Sequence, residues 1–114
     1  MSAESVIQKQ VEGYNTRNIE LFASCHAEEV QLFNFGEVEP FCIGNKKLQE
    51  IYGAIFKESP NLHTEILNRI VMGNTIMDHE IVTGRNGVDK LELVAIYEVE
   101  NNKIARAYFK RKGW

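Results

Sequence analysis

Thr75-Ile76-Met77-Asp78-His79-Glu80-Ile81-Val82-Thr83 alternates its side chains as a strand does and stands between two turn signals, Gly73-Asn74 and Gly84-Arg85-Asn86-Gly87. An Asn-Gly pair between runs of β-formers is a strong short-range hairpin signal. Working outward, Leu62 to Met72 precedes the first turn and Leu91 to Val99 follows the second. Lys103 to Arg111 closes the run after a bend at Glu100-Asn101-Asn102. The spacing predicts a meander of long antiparallel strands over the second half of the chain. On Thr75 to Thr83, Met77, His79, Ile81 and Thr83 share one face, and Ile76, Asp78, Glu80 and Val82 share the other. On Leu91 to Val99, Leu91, Leu93, Ala95, Tyr97 and Val99 oppose Glu92, Val94, Ile96 and Glu98. Both faces are half apolar, so each side of the sheet is expected to be at least partly covered.

Upstream of the strands the apolar spacing is helical. Val6, Ile7, Gln10, Val11 and Tyr14 fall on one stripe of an amphipathic helix. Asn15-Thr16-Arg17-Asn18 turns the chain, and Asn18 caps a short second helix carrying Ile19, Phe22 and Cys25 inward. Val30 to Phe35 reads as a strand, and the loop from Glu37 to Gly44 holds a short one around Phe41 to Ile43. A third helix, with Asn45 as its cap, buries Leu48, Ile51, Tyr52, Ile55 and Phe56. Ser59-Pro60 stops it, because proline has no N–H to continue the ladder. Helices followed by antiparallel strands define an α+β domain with the helices on one face of the sheet. A twisted sheet of this kind curls, and helices roofing its concave face leave room for a cavity.

With 114 residues, 44% of them hydrophobic and 25% charged, the chain suffices for one domain over residues 1–114 and not for two cores. Its formal charge of −3 argues against a nucleic-acid partner, which calls for a basic footprint. No stretch approaches the ~18 apolar residues of a membrane span. The first ten residues, with Glu4 and no apolar run, read as neither a signal nor a transit peptide. Cys25 and Cys42 lie far apart without CxxC spacing, the pattern of reduced core thiols in a cytoplasmic protein.

Three stretches carry a family resemblance. Tyr14-Asn15-Thr16-Arg17-Asn18-Ile19 ends the first helix, and Asp78-His79-Glu80 enters a central strand. Glu98-Val99-Glu100-Asn101-Asn102-Lys103-Ile104-Ala105-Arg106 forms the last hairpin. In this order they resemble the NTF2-like superfamily, and within it the SnoaL-like and ketosteroid-isomerase-like branch, over nearly the whole chain. The resemblance implies a cone-shaped α+β fold, with three N-terminal helices packed on the concave face of a curved, mostly antiparallel sheet. It further implies a pocket for a small apolar molecule and a homodimer formed through the outer sheet face. Its members include isomerases, polyketide cyclases, dehydratases and pocket proteins without known chemistry. Ketosteroid isomerases use an aspartate base and an oxyanion hole made of a tyrosine and a protonated aspartate. Those positions fall here near Asn34, near Gln10 with Tyr14 one turn later, and on Ala95; the supporting tyrosine is kept as Tyr52. An amide does not accept a proton near neutral pH and a methyl group donates nothing. Isomerisation by that aspartate mechanism is therefore not expected.

His79 is the titratable candidate. The resemblance turns its face, shared with Met77 and Ile81, toward the cavity, and an imidazole titrates near cellular pH. It is either a general base or carbonyl-polarising donor, or a histidine satisfied by neighbours such as Tyr52 or Tyr97, or one at the cavity rim. Asn34 either orients a ligand through its amide or only caps the strand end before Phe35-Gly36. Tyr14, Tyr52, Met77, Ile81, Ala95 and Tyr97 are the expected ligand-binding residues, with core packing the alternative for Tyr14 and Tyr52. His26 either borders the pocket or lies on the surface. His26, His63 and His79 show no HxH or HExxH spacing, and adjacent strand residues cannot converge on one ion, so no metal is expected. The chain carries no GxGxxG, Walker or GxSxG pattern, so no nucleotide cofactor or serine nucleophile is expected.

On the other sheet face Glu92, Glu98, Arg106 and Lys110 alternate with Val94, Ile96, Ile104 and Tyr108. That mixture suits a twofold interface, with Glu98 and Arg106 placed to pair across the last hairpin. The basic tail Lys110-Arg111-Lys112, before Gly113-Trp114, reads as solvated. Two functions remain. One is a cofactor-free isomerase-, cyclase- or dehydratase-type enzyme that moves a proton on a small apolar carbonyl or hydroxy compound, with His79 as base and Asn34, Tyr14 or Tyr52 as orienting donors. The other is a non-catalytic ligand-binding or dimeric assembly module.

Overall fold

A computed structural model describes residues 2–113; Met1 and Trp114, the end of the basic tail, lie outside the described residues. The elements run α1 (Ala3–Asn15), α2 (Ile19–Ser24), β1 (His26–Asn34), β2 (Cys42–Ile43), α3 (Asn45–Glu58), β3 (His63–Met72), β4 (Thr75–Thr83), β5 (Lys90–Glu100) and β6 (Lys103–Arg111). The Ser2 hydroxyl caps α1 by accepting from the Ser5 N–H, and the Asn18 side chain caps α2 by accepting from the Leu21 N–H. At α3 the cap position belongs to Gly44, not Asn45. Asn45 instead donates its amide to the carbonyl oxygens of Ala23 and His26, each at 3.0 Å, which ties the start of α3 to the α2–β1 junction.

The strands form one sheet in the order β2-β1-β6-β5-β4-β3. β1 and β6 pair in parallel; the other pairs are antiparallel. β3 to β6 are the expected meander, and Asn101 and Asn102 make the last turn with φ of 52° and 61°, left-handed angles that asparagine tolerates. Register shifts in β1–β6, between Ile66 and Asn68 of β3, and at Glu98/Val99 of β5 curl the sheet. The helices lie on the concave side, where Ile7, Phe22, Leu32, Leu48, Leu62, Ile76 and Ile104 are fully enclosed. Cys25 and Cys42 are buried, free thiols.

Which face of each strand meets the helices is where structure and sequence expectation part. Ile76, Asp78, Glu80 and Val82 of β4 are the buried set, whereas Met77, His79 and Ile81 lie on the outer face. Pairing explains the parity. Residues directly opposite in a sheet share a face, and Asp78 sits opposite Ala95, Glu80 opposite Leu93 and His79 opposite Val94. Two carboxyls thus point into the protein, each with a partner on β3. Arg69 grips Asp78 by two bonds of 2.7 and 2.9 Å, and the Thr64 hydroxyl donates to Glu80 Oε1 at 3.1 Å. Asp78 is 0% exposed, so the guanidinium compensates a charge with no access to water. Ile104 is also inward, because the shift at Glu98/Val99 changes the alternation. Arg111 is likewise not a solvated tail residue; it is half-buried at the end of β6 and faces the helices.

Candidate functional site

Between the helices and the sheet lies a cavity of about 160 Å³. Every layer contributes to its wall: Gln10 and Tyr14 from α1, Phe22 from α2, Tyr52 from α3, Thr64 from β3 and Glu80 from β4. Leu93 and Tyr97 of β5 and Phe109 and Arg111 of β6 form the floor, with Arg85 from the β4–β5 turn and Phe41 at the side. The aromatic rings interlock. Phe22 packs 4.8 Å from Tyr52 and edge-on to Phe56 at 5.4 Å, and Tyr97 meets Phe109 edge-on at 6.4 Å. The first two contacts tie α2 to α3 in the roof, and the third ties β5 to β6 in the floor, with few rotamers to lose.

Glu80 is the polar centre of this wall. It is 7% exposed; Thr64 holds one carboxylate oxygen, and the other, Oε2, has no partner among the described residues. Burial, with the Asp78 charge adding to it, pushes the carboxyl up to about 7 against the pull of Thr64 and Arg69. Near neutral pH the group therefore populates both its acid and its base form. Gln10 Oε1, on the same cavity, is the other buried side-chain oxygen left without a partner among the described residues. Burial raises the phenols of Tyr14 and Tyr97 as well and pushes Tyr52 up to about 12, so all three keep their protons as donors. His26 lines the cavity too. Its Nδ1 lies 2.8 Å from the Phe22 carbonyl oxygen, which can only accept, so Nδ1 carries the proton and Nε2 is the acceptor. Burial lowers His26 to about 4, so the ring is neutral at physiological pH.

Tyr14, Tyr52 and Tyr97 thus line the cavity, and His26 takes the pocket side of its two readings. Ala95 shares their face but is sealed in the core beside Asp78. Met77 and Ile81 are on the far side of the sheet. His79 is there with them, 2.8 Å from Glu92 Oε2 and with its side chain 41% exposed, so the expected base does not reach the cavity. Asn34 ends β1 and donates its amide to Glu37 Oε1 at 3.4 Å, which is the strand-end role. The residue missed was Glu80. Its signal lay on β3, where Arg69 stands opposite Asp78 and Thr64 stands opposite Val82, the next residue on the face of Glu80; a basic and a hydroxyl partner there mark the carboxylate face as buried. Among the described residues no group of three or more His, Cys, Asp or Glu could hold a metal ion. No helix among them is long and apolar enough to cross a membrane.

Helices over a curled sheet, with a cavity between, are the architecture of NTF2-like proteins. The family model for the SnoaL-like domain matches residues 7–107, and the chain belongs to that family. No curated protein matches it in sequence. Among solved structures it is similar to an uncharacterized cystatin-fold protein from Novosphingobium aromaticivorans (22% identity, 96% of this chain and 97% of that one, TM-score 0.87). It is also similar to a SnoaL-like protein of unknown function from Burkholderia thailandensis (14% identity, 97% and 94%, TM-score 0.78). An LEH-like epoxide hydrolase from M. tuberculosis matches with 8% identity, 96% and 82% coverage and a TM-score of 0.80. At these identities the likeness concerns the fold, and a fold of this type hosts unrelated activities.

Proposed function

We propose that the chain is a cofactor-free enzyme that moves a proton on a small, largely apolar carbonyl or hydroxy compound bound in the cavity, with Glu80 as the acid–base group. The observation that supports this reading is the Glu80 carboxyl itself: buried, anchored through one oxygen by Thr64, and with the other oxygen on the cavity wall, unpartnered among the described residues. In its base form Oε2 abstracts a proton from carbon beside the ligand carbonyl; in its acid form it returns one. The tyrosine hydroxyls, kept protonated by burial, are the donors for the oxyanion that develops between these steps.

Exchange of α-protons in a panel of small cyclic ketones in D₂O, followed by NMR, tests the assignment. The wild-type chain is expected to accelerate exchange over buffer, and Glu80→Gln to lose about 10²- to 10⁴-fold of that rate, the usual worth of a positioned base. No acceleration across the panel, or equal rates for wild type and variant, would overturn it.

We further infer that a second copy of the chain covers the outer sheet face. Ile70 and Met72 are 52% and 69% exposed there, beside Met77, Val94 and Ile96. Ion pairs within the chain take up several charges of this face, Arg106 with Glu98 and Glu100 and Lys112 with Glu92, which lessens the repulsion of its copy. A partly apolar patch of this kind suits a self-complementary twofold contact.

A further inference from the structure

One wall of the cavity carries an acceptor that no described side chain answers. Val6, Ile7, Gln10, Val11 and Gly13 are the buried residues of α1, and among them Gln10 alone has a polar side chain. It is 7% exposed and lines the cavity, and its Oε1 has no hydrogen-bond partner among the described residues. An amide oxygen drawn out of water without a donor is costly, and a donor placed against it removes the cost. The phenols of Tyr14, Tyr52 and Tyr97 are donors on the same cavity, yet none of them donates to this oxygen. Glu80 faces the same space from β4, over which α1 packs. In the form that abstracts a proton it does not serve Gln10 either, because a carboxylate only accepts. Two acceptors thus border one space, and the donor that satisfies Gln10 arrives with the ligand. That donor is a neutral one: an ammonium would bring a full charge out of water, a cost that an amide oxygen does not repay.

We propose that the ligand of this cavity carries a hydroxyl as well as a carbonyl, and that Gln10 selects it by accepting the ligand O–H at Oε1. The inference rests on the reading of the cavity as a ligand site and narrows the substrate class to small hydroxy ketones. The two groups of such a ligand sort by chemistry. Its carbonyl oxygen only accepts and goes to the tyrosine donors, whereas its hydroxyl donates to Gln10. This gives an otherwise apolar skeleton one orientation and leaves Glu80 Oε2 to the proton it moves. A methyl group in place of the hydroxyl fills the same space but leaves Gln10 Oε1 buried against carbon. The selectivity comes from that penalty on the wrong ligand.

Para-hydroxyacetophenone and para-methylacetophenone test this, because they share a shape and a ketone and differ by a hydroxyl against a methyl. Each is titrated into the purified chain, with the backbone amides of Leu93 and Phe109 and the side-chain amide of Gln10 as reporters in ¹H–¹⁵N NMR. Transfer out of water by itself favours the methyl compound, so a preference for the hydroxy compound has to come from a partner in the cavity. The hydroxy compound is expected to bind about tenfold or more tightly, and to shift the Gln10 side-chain signal more than the methyl compound does. Gln10→Met keeps the length of the side chain and removes the acceptor, and is expected to turn the preference round. Should that variant fail to fold, the wild-type Gln10 signal decides: unmoved with the hydroxy compound bound, it overturns the contact. Equal binding of the two probes by the wild-type chain, a preference for the methyl compound, or a hydroxyl preference that survives Gln10→Met also overturns it and leaves the cavity reading intact. If neither probe at millimolar concentration moves any of these signals, the cavity reading falls and the hydroxy ketone with it.

Discussion

Replacing Glu80 by glutamine keeps the shape of the side chain and removes its titration, which isolates the cost of burying the carboxylate. In the folded chain burial, with Asp78 beside it, pushes the group from 4.5 up to about 7, and Thr64 and Arg69 recover only part of that. Between these two values the native state keeps a proton that the unfolded state has released. Stability therefore falls as pH rises through this window. At about 1.36 kcal/mol per pH unit the gap amounts to roughly 3 kcal/mol, wholly present below the unfolded value and lost once pH exceeds the folded one. His26 slopes the other way. Burial lowers it from 6.5 to about 4, so the stability that rests on its neutral ring is present above pH 6.5 and lost as pH falls toward 4. The two gradients oppose each other over much of the same range, and only the difference between wild type and Glu80→Gln separates them. Urea unfolding across a pH series is the assay. The variant is expected to gain on the wild type by roughly 3 kcal/mol between mildly acidic and mildly alkaline pH. A difference that stays level across the series would refute the reasoning, since a carboxyl with the same pKa in both states gives no slope.

Three further outcomes follow from the packing. Arg69→Met leaves Asp78 buried without its partner and is expected to cost about 3–5 kcal/mol in urea unfolding, with Asp78→Asn added to it restoring part of the loss; a cost under ~1 kcal/mol would mean that the pair is not what compensates Asp78. At Gly13 a Cβ would lie 2.7 Å from the backbone nitrogen of Phe22 and 2.9 Å from its Cα, where α1 and α2 cross. Gly13→Ala is therefore expected to lower Tm by the equivalent of about 1–3 kcal/mol despite alanine's helix propensity; a higher Tm contradicts the close approach. Ile96→Glu places a charge on the outer face, and size-exclusion chromatography is expected to show a dimer for wild type and a monomer for the variant. Unchanged elution, or a wild-type monomer, removes that interface.

The elements themselves were legible in the chain. β4 and β6 run over Thr75–Thr83 and Lys103–Arg111 as their alternation and flanking turns indicated, and Asn18 caps α2 as its position implied. Period, caps and turns are local properties, set by residues a few positions apart. Tyr14 and Tyr52 lie on helical apolar stripes of the same local kind, and the cavity role of these two and of Tyr97 was what the family resemblance implied. The face of β4 did not. Its two sides differ by one step of a two-residue period, and each carries aliphatic and ionisable side chains in nearly equal measure, so the strand alone gives no reason to prefer either. What decided it was the neighbouring strand, where Arg69 stands opposite Asp78 and Thr64, opposite Val82, reaches diagonally to Glu80. Only pairing across the sheet brings those groups together, and with them the carboxyl moved inside while His79 was left facing outward.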